Sequence, residues 1–190
     1  MVVWALVAVA GLPALVRHSH RSRDAALPAV GTPPLVLPTI TDPAPPEVPG
    51  WRISDALDPA SPDPESAHEY RISADAGFTP GPLLDPSARR MVSDAGRSTA
   101  GRETFQLSCR RDRPVILLAR LSSLSGGRLR VRWNGSPQRS VRLSGDARRF
   151  QTILIAEDRG QLVGERNRID VVREDGSRIA AHHYWALQPR

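Results

Sequence analysis

Lysine is absent from this chain of 190 residues: all 26 basic residues are arginine, against 20 acidic ones, for a formal charge of +6. A GC-rich codon usage is the plainest cause of such a bias. Cysteine is almost absent as well. Cys109 stands alone, so no intrachain disulfide can form and no thiolate metal site can be assembled. Its position also excludes a lipoprotein anchor, which needs a cysteine just behind an N-terminal apolar run. In Phe105-x-Leu107-x-Cys109 it falls on the apolar side of a period-2 pattern, which predicts a buried, inert thiol.

Catalytic motifs are missing too. There is no glycine-rich phosphate loop, no nucleophile elbow and no histidine pair spaced for a metal on one helix. Gly96-Arg97-Ser98-Thr99-Ala100-Gly101 superficially resembles a serine motif but has the wrong spacing. His182 and His183 are adjacent in a predicted strand, so alternation sends them to opposite faces, where they cannot easily share a metal. Glu157-Asp158 and Glu174-Asp175 are loop acids, able to assist a calcium ion but ordinarily just solvated. The chain therefore reads as non-catalytic, with no cofactor and no metal.

Long apolar runs are confined to the first 16 residues, which carry no charge and are followed by Arg17-His18-Ser19-His20-Arg21-Ser22-Arg23. An apolar run beside a basic cluster is a membrane signature, although 16 residues fall short of the roughly 20 that span a bilayer core. A short signal anchor, a secretory signal and the end of a longer transmembrane helix all fit; a buried soluble helix is disfavoured by Gly11 and Pro13. The basic flank would place the remainder in the cytoplasm. Residues 24–66 hold eleven prolines and predict an extended, semi-rigid tether, with Trp51 as a point that could dock on the following domain. The expected organisation is a membrane segment at 1–16, a basic flank and proline-rich linker at 17–66, and a folded domain at 67–190.

Charge is uneven along the chain. Residues 17–101 hold 8 arginines against 11 acids, whereas residues 102–190 hold 18 against 9. The basic half suits anionic partners.

That same half is a run of short strands. In Arg128-Leu129-Arg130-Val131-Arg132-Trp133 arginines alternate with apolar residues, and Asn134-Gly135 follows, a pair that tolerates the positive φ of a two-residue hairpin turn. Residues 102–109 alternate likewise, with Thr104, Gln106 and Ser108 outward. Residues 115–121 are apolar on both sides and predict a central strand covered on both faces. Pro137 predicts an edge or bulged strand. Further strands are expected at 150–155, 167–172 and 178–186, and irregular structure at 76–100. Links this short favour antiparallel pairing, hence an all-β antiparallel sandwich or jelly roll without a convincing helix.

Val131-Arg132-Trp133-Asn134-Gly135, the strand 150–155 and Gly164-x-x-Asn167-x-Ile169-x-Val171 together resemble the galactose-binding-like jelly roll over residues 102–188. The resemblance implies a carbohydrate-binding or domain-packing module of the kind appended to bacterial membrane proteins, with the domain outside the cytoplasm, against the orientation that the basic flank suggests. The chain departs from sugar-binding members in having few aromatics for stacking. Its candidate ligand contacts are Arg128, Arg130 and Arg132 on one strand, Arg139 and Arg142 on the next, and Tyr184, which alternation puts on the surface. Trp133 and Trp185 fall on core faces by the same alternation. The function read from sequence is a membrane-tethered, non-catalytic module for a cell-surface glycan, an acidic polysaccharide or another anionic polymer. The alternative is an accessory domain docked on a multi-pass membrane enzyme such as a glycosyltransferase. Nucleic acid is disfavoured, since basic residues are not interleaved with exposed aromatics.

Overall fold

The structure is a computed structural model that describes residues 39–40, 45–79, 81, 83–86, 89–160 and 163–190. The expected membrane segment at 1–16 and the linker at 17–38 and 41–44 lie outside the described residues. No described helix is long and apolar enough to cross a membrane. The elements in chain order are β1 (Thr39–Ile40), β2 (Trp51–Leu57), α1 (Pro62–Ala67), β3 (Arg71–Ile72), β4 (Gly77–Thr79), β5 (Leu83–Asp85), β6 (Arg90–Val92), β7 (Gly96–Thr99), β8 (Arg102–Ser108), β9 (Val115–Ser123), β10 (Gly127–Trp133), β11 (Ser136–Leu143), β12 (Asp146–Asp158), β13 (Arg166–Arg173) and β14 (Ile179–Pro189).

They form two sheets. The larger runs β1-β6-β5-β12-β9-β14-β7-β4, with β2 also pairing with β14; the smaller runs β11-β10-β13-β8-β3. The long pairs are antiparallel, as the short links require. Phe105 and Leu107 of β8, Leu129, Val131 and Trp133 of β10 and Ile169 and Val171 of β13 point from the smaller sheet into the core. Val115, Leu117, Ala119 and Leu121 of β9 meet them from the larger one. Each of the larger aliphatic and phenylalanine side chains withdrawn from water stabilises the sandwich by about 1.5–3 kcal/mol.

Several expectations hold in detail. Strand β9 lies between β12 and β14 and is covered on both faces: its alternate residues Ile116 and Leu118 pack on the outer side with Trp185, Leu187, Val48 and Trp51. Trp51 thus docks on the domain. Asn134 and Gly135 have φ of 49° and 83°, and Trp133 pairs directly with Ser136 across the two-residue turn. Pro137 sits on edge strand β11, where the register shifts between Arg130 and Arg132 of β10. Cys109 is buried in the core, and burial pushes its thiol up to about 11.

Asn167 gives the Gly-x-x-Asn pattern its physical meaning. It is fully buried. Its Oδ1 accepts from Gly164 N at 2.8 Å, Asn134 Nδ2 at 3.1 Å and Trp133 Nε1 at 3.2 Å. Its Nδ2 donates to Gly164 O at 2.8 Å and to Leu107 O at 3.2 Å. One amide therefore ties the loop before β13 to β8 and to the β10–β11 turn, which makes this part of the motif a staple of the fold.

Three differences from the sequence reading are structural. Residues 51–57, read as proline-rich tether, form a strand paired with β14 from Trp51↔Pro189 to Tyr184↔Leu57. No proline falls between Trp51 and Leu57, so the ladder can form there. Residues 62–67 are helical, with Pro62 at the start, where its missing donor costs nothing. Residues 76–100, read as irregular, supply the short strands β4 to β7.

Candidate functional site

The two sheets treat their outer faces oppositely. On the larger sheet, Arg120 projects outward from β9 yet is only 3% exposed. Asp85 Oδ2 lies 3.4 Å and Asp94 Oδ2 3.8 Å from its guanidinium. Its Cζ stands 5.4 Å from the Phe150 ring centre and 5.1 Å from that of Trp185. His183 stacks on Trp185 at 5.1 Å and meets Asp94 Oδ2 through Nδ1 at 3.1 Å. His182 Nε2 lies 2.9 Å from Ser122 Oγ, and burial pulls the His182 pKa down to about 4. The cluster is buried except for His183, whose side chain is 15% exposed. It fastens the segment carrying Asp85 and Asp94 over the sheet.

The two histidines share that outer face, which corrects the reading that they point apart. The register of β14 against β9 shifts between Ala181 and His183. The extra residue of this bulge breaks the alternation. Residues after it invert: Tyr184 turns inward and Trp185 outward. Tyr184, expected on the surface, is fully buried, and its hydroxyl donates to Glu103 Oε2 at 2.5 Å. It cannot contact a ligand. Trp185 is buried, as expected, but on the outer side of the larger sheet rather than in the sandwich core. Trp133 is a core residue, as read.

The outer face of the smaller sheet is open. Arg128, Arg130 and Arg132 are exposed along β10, and Arg142 is exposed on β11. Arg128 and Arg142 stand directly opposite one another in the register. Together with Ser144, Glu174 and Ser177 they line a cavity of about 540 Å³. Arg130 pairs with Glu174, whose Oε2 also accepts from Ser140 Oγ at 2.7 Å. These contacts hold the Glu174 carboxyl below its ordinary range, the Ser140 bond contributing most. Arg139 is not part of the group: it lines a separate cavity with Pro137, Gln138 and Glu157 of β12.

Sequence reasoning missed the other end of the same face. Arg102 of β8 and Arg168 of β13 both reach Asp170 Oδ1 through Nη2, Arg168 at 3.4 Å, and Thr104 Oγ1 donates to the same oxygen at 2.8 Å. Asp170 is nearly buried at 7% side-chain exposure, while Arg102 and Arg168 remain 51% and 60% exposed. Burial works against the Asp170 carboxylate, yet the Arg102 and Thr104 bonds prevail and lower its pKa. With Arg71 of β3, these arginines line a groove of about 500 Å³. Arg166 pairs beside it with Glu69 at 2.9 Å. The signal was available: Arg102 continues the outward row of Thr104 and Gln106, and Arg166 and Arg168 alternate with inward Asn167 and Ile169.

The face thus gathers Arg71, Arg102, Arg128, Arg130, Arg132, Arg142, Arg166 and Arg168 around three acids, Glu69, Asp170 and Glu174. No described tryptophan or tyrosine is exposed. Among the described residues no cluster of three histidine, cysteine or acidic side chains could hold a metal ion.

No family model matches the sequence, and no curated protein matches it. Solved structures do match. A family 35 carbohydrate-binding module from Clostridium thermocellum is similar at a TM-score of 0.47 and 11% identity, over 70% of this chain and 95% of that one. The C-terminal family 6 carbohydrate-binding module of a marine laminarinase from Zobellia galactanivorans is similar at 0.44 and 12% identity, over 71% and 98%. The insecticidal delta-endotoxin Cry8Ea1 from Bacillus thuringiensis is similar at 0.41 and 10% identity, over 50% of this chain; the chain spans only 20% of the toxin's length. The structural neighbours thus include carbohydrate-binding modules at low identity.

Proposed function

We propose that the chain is a non-catalytic binding module whose arginine face takes an acidic polysaccharide at the cell surface. The observation that carries this reading is the concentration of exposed guanidinium groups on one open face. Arginine forks match carboxylates bidentately and are hydrated weakly enough to exchange water for such a ligand. The absence of exposed tryptophan and tyrosine among the described residues favours recognition by charge over ring stacking. Residues 1–16 and the proline-rich stretch behind them would hold the module at a membrane, outside the cytoplasm.

The test is binding of the full chain to immobilised polygalacturonate at low salt, with the fully methyl-esterified polymer as control. The backbone is then constant and only the carboxylates are lost. Preference for the acid form, weakened about tenfold by Arg128→Gln with Arg142→Gln, is the expected result, since each exposed ion pair is worth up to about 1 kcal/mol. Equal retention of both polymers would overturn the reading.

A further inference from the structure

The arginine face has a direction. Its strands run side by side in the order β11-β10-β13-β8-β3, and each supplies an outward arginine: Arg142, then Arg128, Arg130 and Arg132, then Arg166 and Arg168, then Arg102, then Arg71. Adjacent strands lie about 4.8 Å apart, and the register also staggers the arginines along the strands: Arg128 faces Arg142, whereas Arg102 stands opposite Val172 and Arg168 opposite Gln106. The two grooves occupy opposite ends of this row. One is formed at β8, β13 and β3 by Arg71, Arg102 and Arg168; the other lies at β10 and β11 with Arg128 and Arg142. They are separated by about two strand spacings across the sheet, about 10 Å, and by the four residues from Asp170 to Glu174 along β13, about 13 Å, so that they stand about 17 Å apart on a diagonal.

The groove at β8 and β13 is built. Asp170, more than nine-tenths buried, draws in Arg102 and Arg168 with a single oxygen, each through Nη2. It fixes both guanidiniums while the rest of each fork remains available to an anion. A carboxylate arriving there would meet two positioned cations, with Arg71 beside them.

We infer that the ligand is a linear polyanion lying diagonally across the strands, with one acidic group held at Arg102 and Arg168 and another, about 17 Å further along the same chain, at Arg128 and Arg142. This rests on the acidic-polysaccharide reading and specifies its site. A single sugar acid reaches one groove only. An oligomer engages both, and its second contact is intramolecular, so affinity rises steeply once the chain is long enough to bridge.

The experiment compares galacturonic acid with an oligogalacturonate of about eight residues, long enough to exceed the separation estimated from strand spacing. The proteins are the full chain, Arg102→Gln/Arg168→Gln and Arg128→Gln/Arg142→Gln, each over a salt series. Glutamine keeps a donor for Asp170 and removes the charge; an unchanged tryptophan emission spectrum confirms the fold. Each double variant is expected to weaken oligomer binding about tenfold and to flatten the dependence of log K on log salt by about two ion equivalents. Neither should change the weak binding of the monosaccharide by more than about threefold. If Arg102→Gln/Arg168→Gln binds the oligomer like the parent while the other variant loses it, the two-ended site is overturned and the acidic-polysaccharide reading stands. If the parent does not prefer the oligomer to its methyl ester, both fall.

Discussion

Replacing Glu103 by glutamine removes half of an ion pair from which water is excluded. Glu103 and Arg173 are each at 0% side-chain exposure between the two sheets. Arg173 also donates to Ile179 O at 3.3 Å and to Val171 O at 3.4 Å, and the Tyr184 hydroxyl donates to the second oxygen of Glu103. Burial alone would pull the guanidinium pKa down; the Glu103 carboxylate outweighs it and raises the value. Burial first, then Glu103, raises the Tyr184 phenol, so it stays protonated and donates at any pH the fold survives. Glu103→Gln keeps the shape and leaves the guanidinium buried with no counter-charge.

Stranding one charge of a buried pair costs about 3–5 kcal/mol, whereas replacing both partners by apolar side chains of similar volume is close to neutral. Tyr184→Phe removes one hydrogen bond to a charged acceptor, about 1.5–3 kcal/mol. Urea unfolding of the full chain, followed by tryptophan fluorescence with Trp133 in the core as reporter, should rank the parent above Tyr184→Phe and Tyr184→Phe above Glu103→Gln. The double variant Glu103→Leu/Arg173→Met should recover most of the loss. For a chain of this size the Glu103→Gln deficit corresponds to a fall in melting temperature of about 6–20 °C. A loss below about 1 kcal/mol, or a double variant weaker than Glu103→Gln, would refute the account of this cluster as a mutually dependent pair.

Two further outcomes follow from other buried polar groups. His182 is neutral in the fold, its pKa lowered by burial from 6.5 to about 4; the unfolded chain therefore takes up the proton first, and stability should fall as pH drops from about 6.5 to about 4, levelling below that, by about 3 kcal/mol in all. Stability measured against pH in His182→Gln should lack this component, and an identical pH profile would refute the assignment. Asn167→Ala leaves Trp133 Nε1, Leu107 O and the Gly164 backbone without their shared partner and should cost about 3 kcal/mol or more in urea unfolding; a change under about 1 kcal/mol would show that the amide is not the staple described.

The sandwich was legible where one local rule acts without interference. Residues 115–121 carry apolar side chains on both faces, and only a strand covered twice can bury them. Asn134-Gly135 admits the backbone its turn requires. The proline-dense stretch hid β2, because the signal of a tether swamped seven strand-forming residues that contain no proline. Strands β4 to β7, of three or four residues each, are held by their neighbours more than by their own pattern. The site was half legible. The arginines of β10 could be read from alternation alone, while those of β8 and β13 become partners only through the register that sets Asp170 beside Thr104.

Tyr184 shows why alternation can fail even where the strand itself is placed correctly. Counting by twos from Ile179 and Ala181 sends Tyr184 outward, and the count is right up to Ala181. One bulged residue at His182 then reverses every side chain after it. Both halves of the reversal are used. Tyr184 enters the core and supplies the donor that the buried Glu103–Arg173 pair needs. His182, His183 and Trp185 gather around Arg120 on the other side, where Asp85 and Asp94 face its guanidinium. Had β14 run without the bulge, the phenol would have been offered to ligands and Glu103 would have lost a partner. The bulge thus consigns the chain's most ligand-like aromatic and histidine groups to structure. It leaves the arginines of the smaller sheet exposed on their own face.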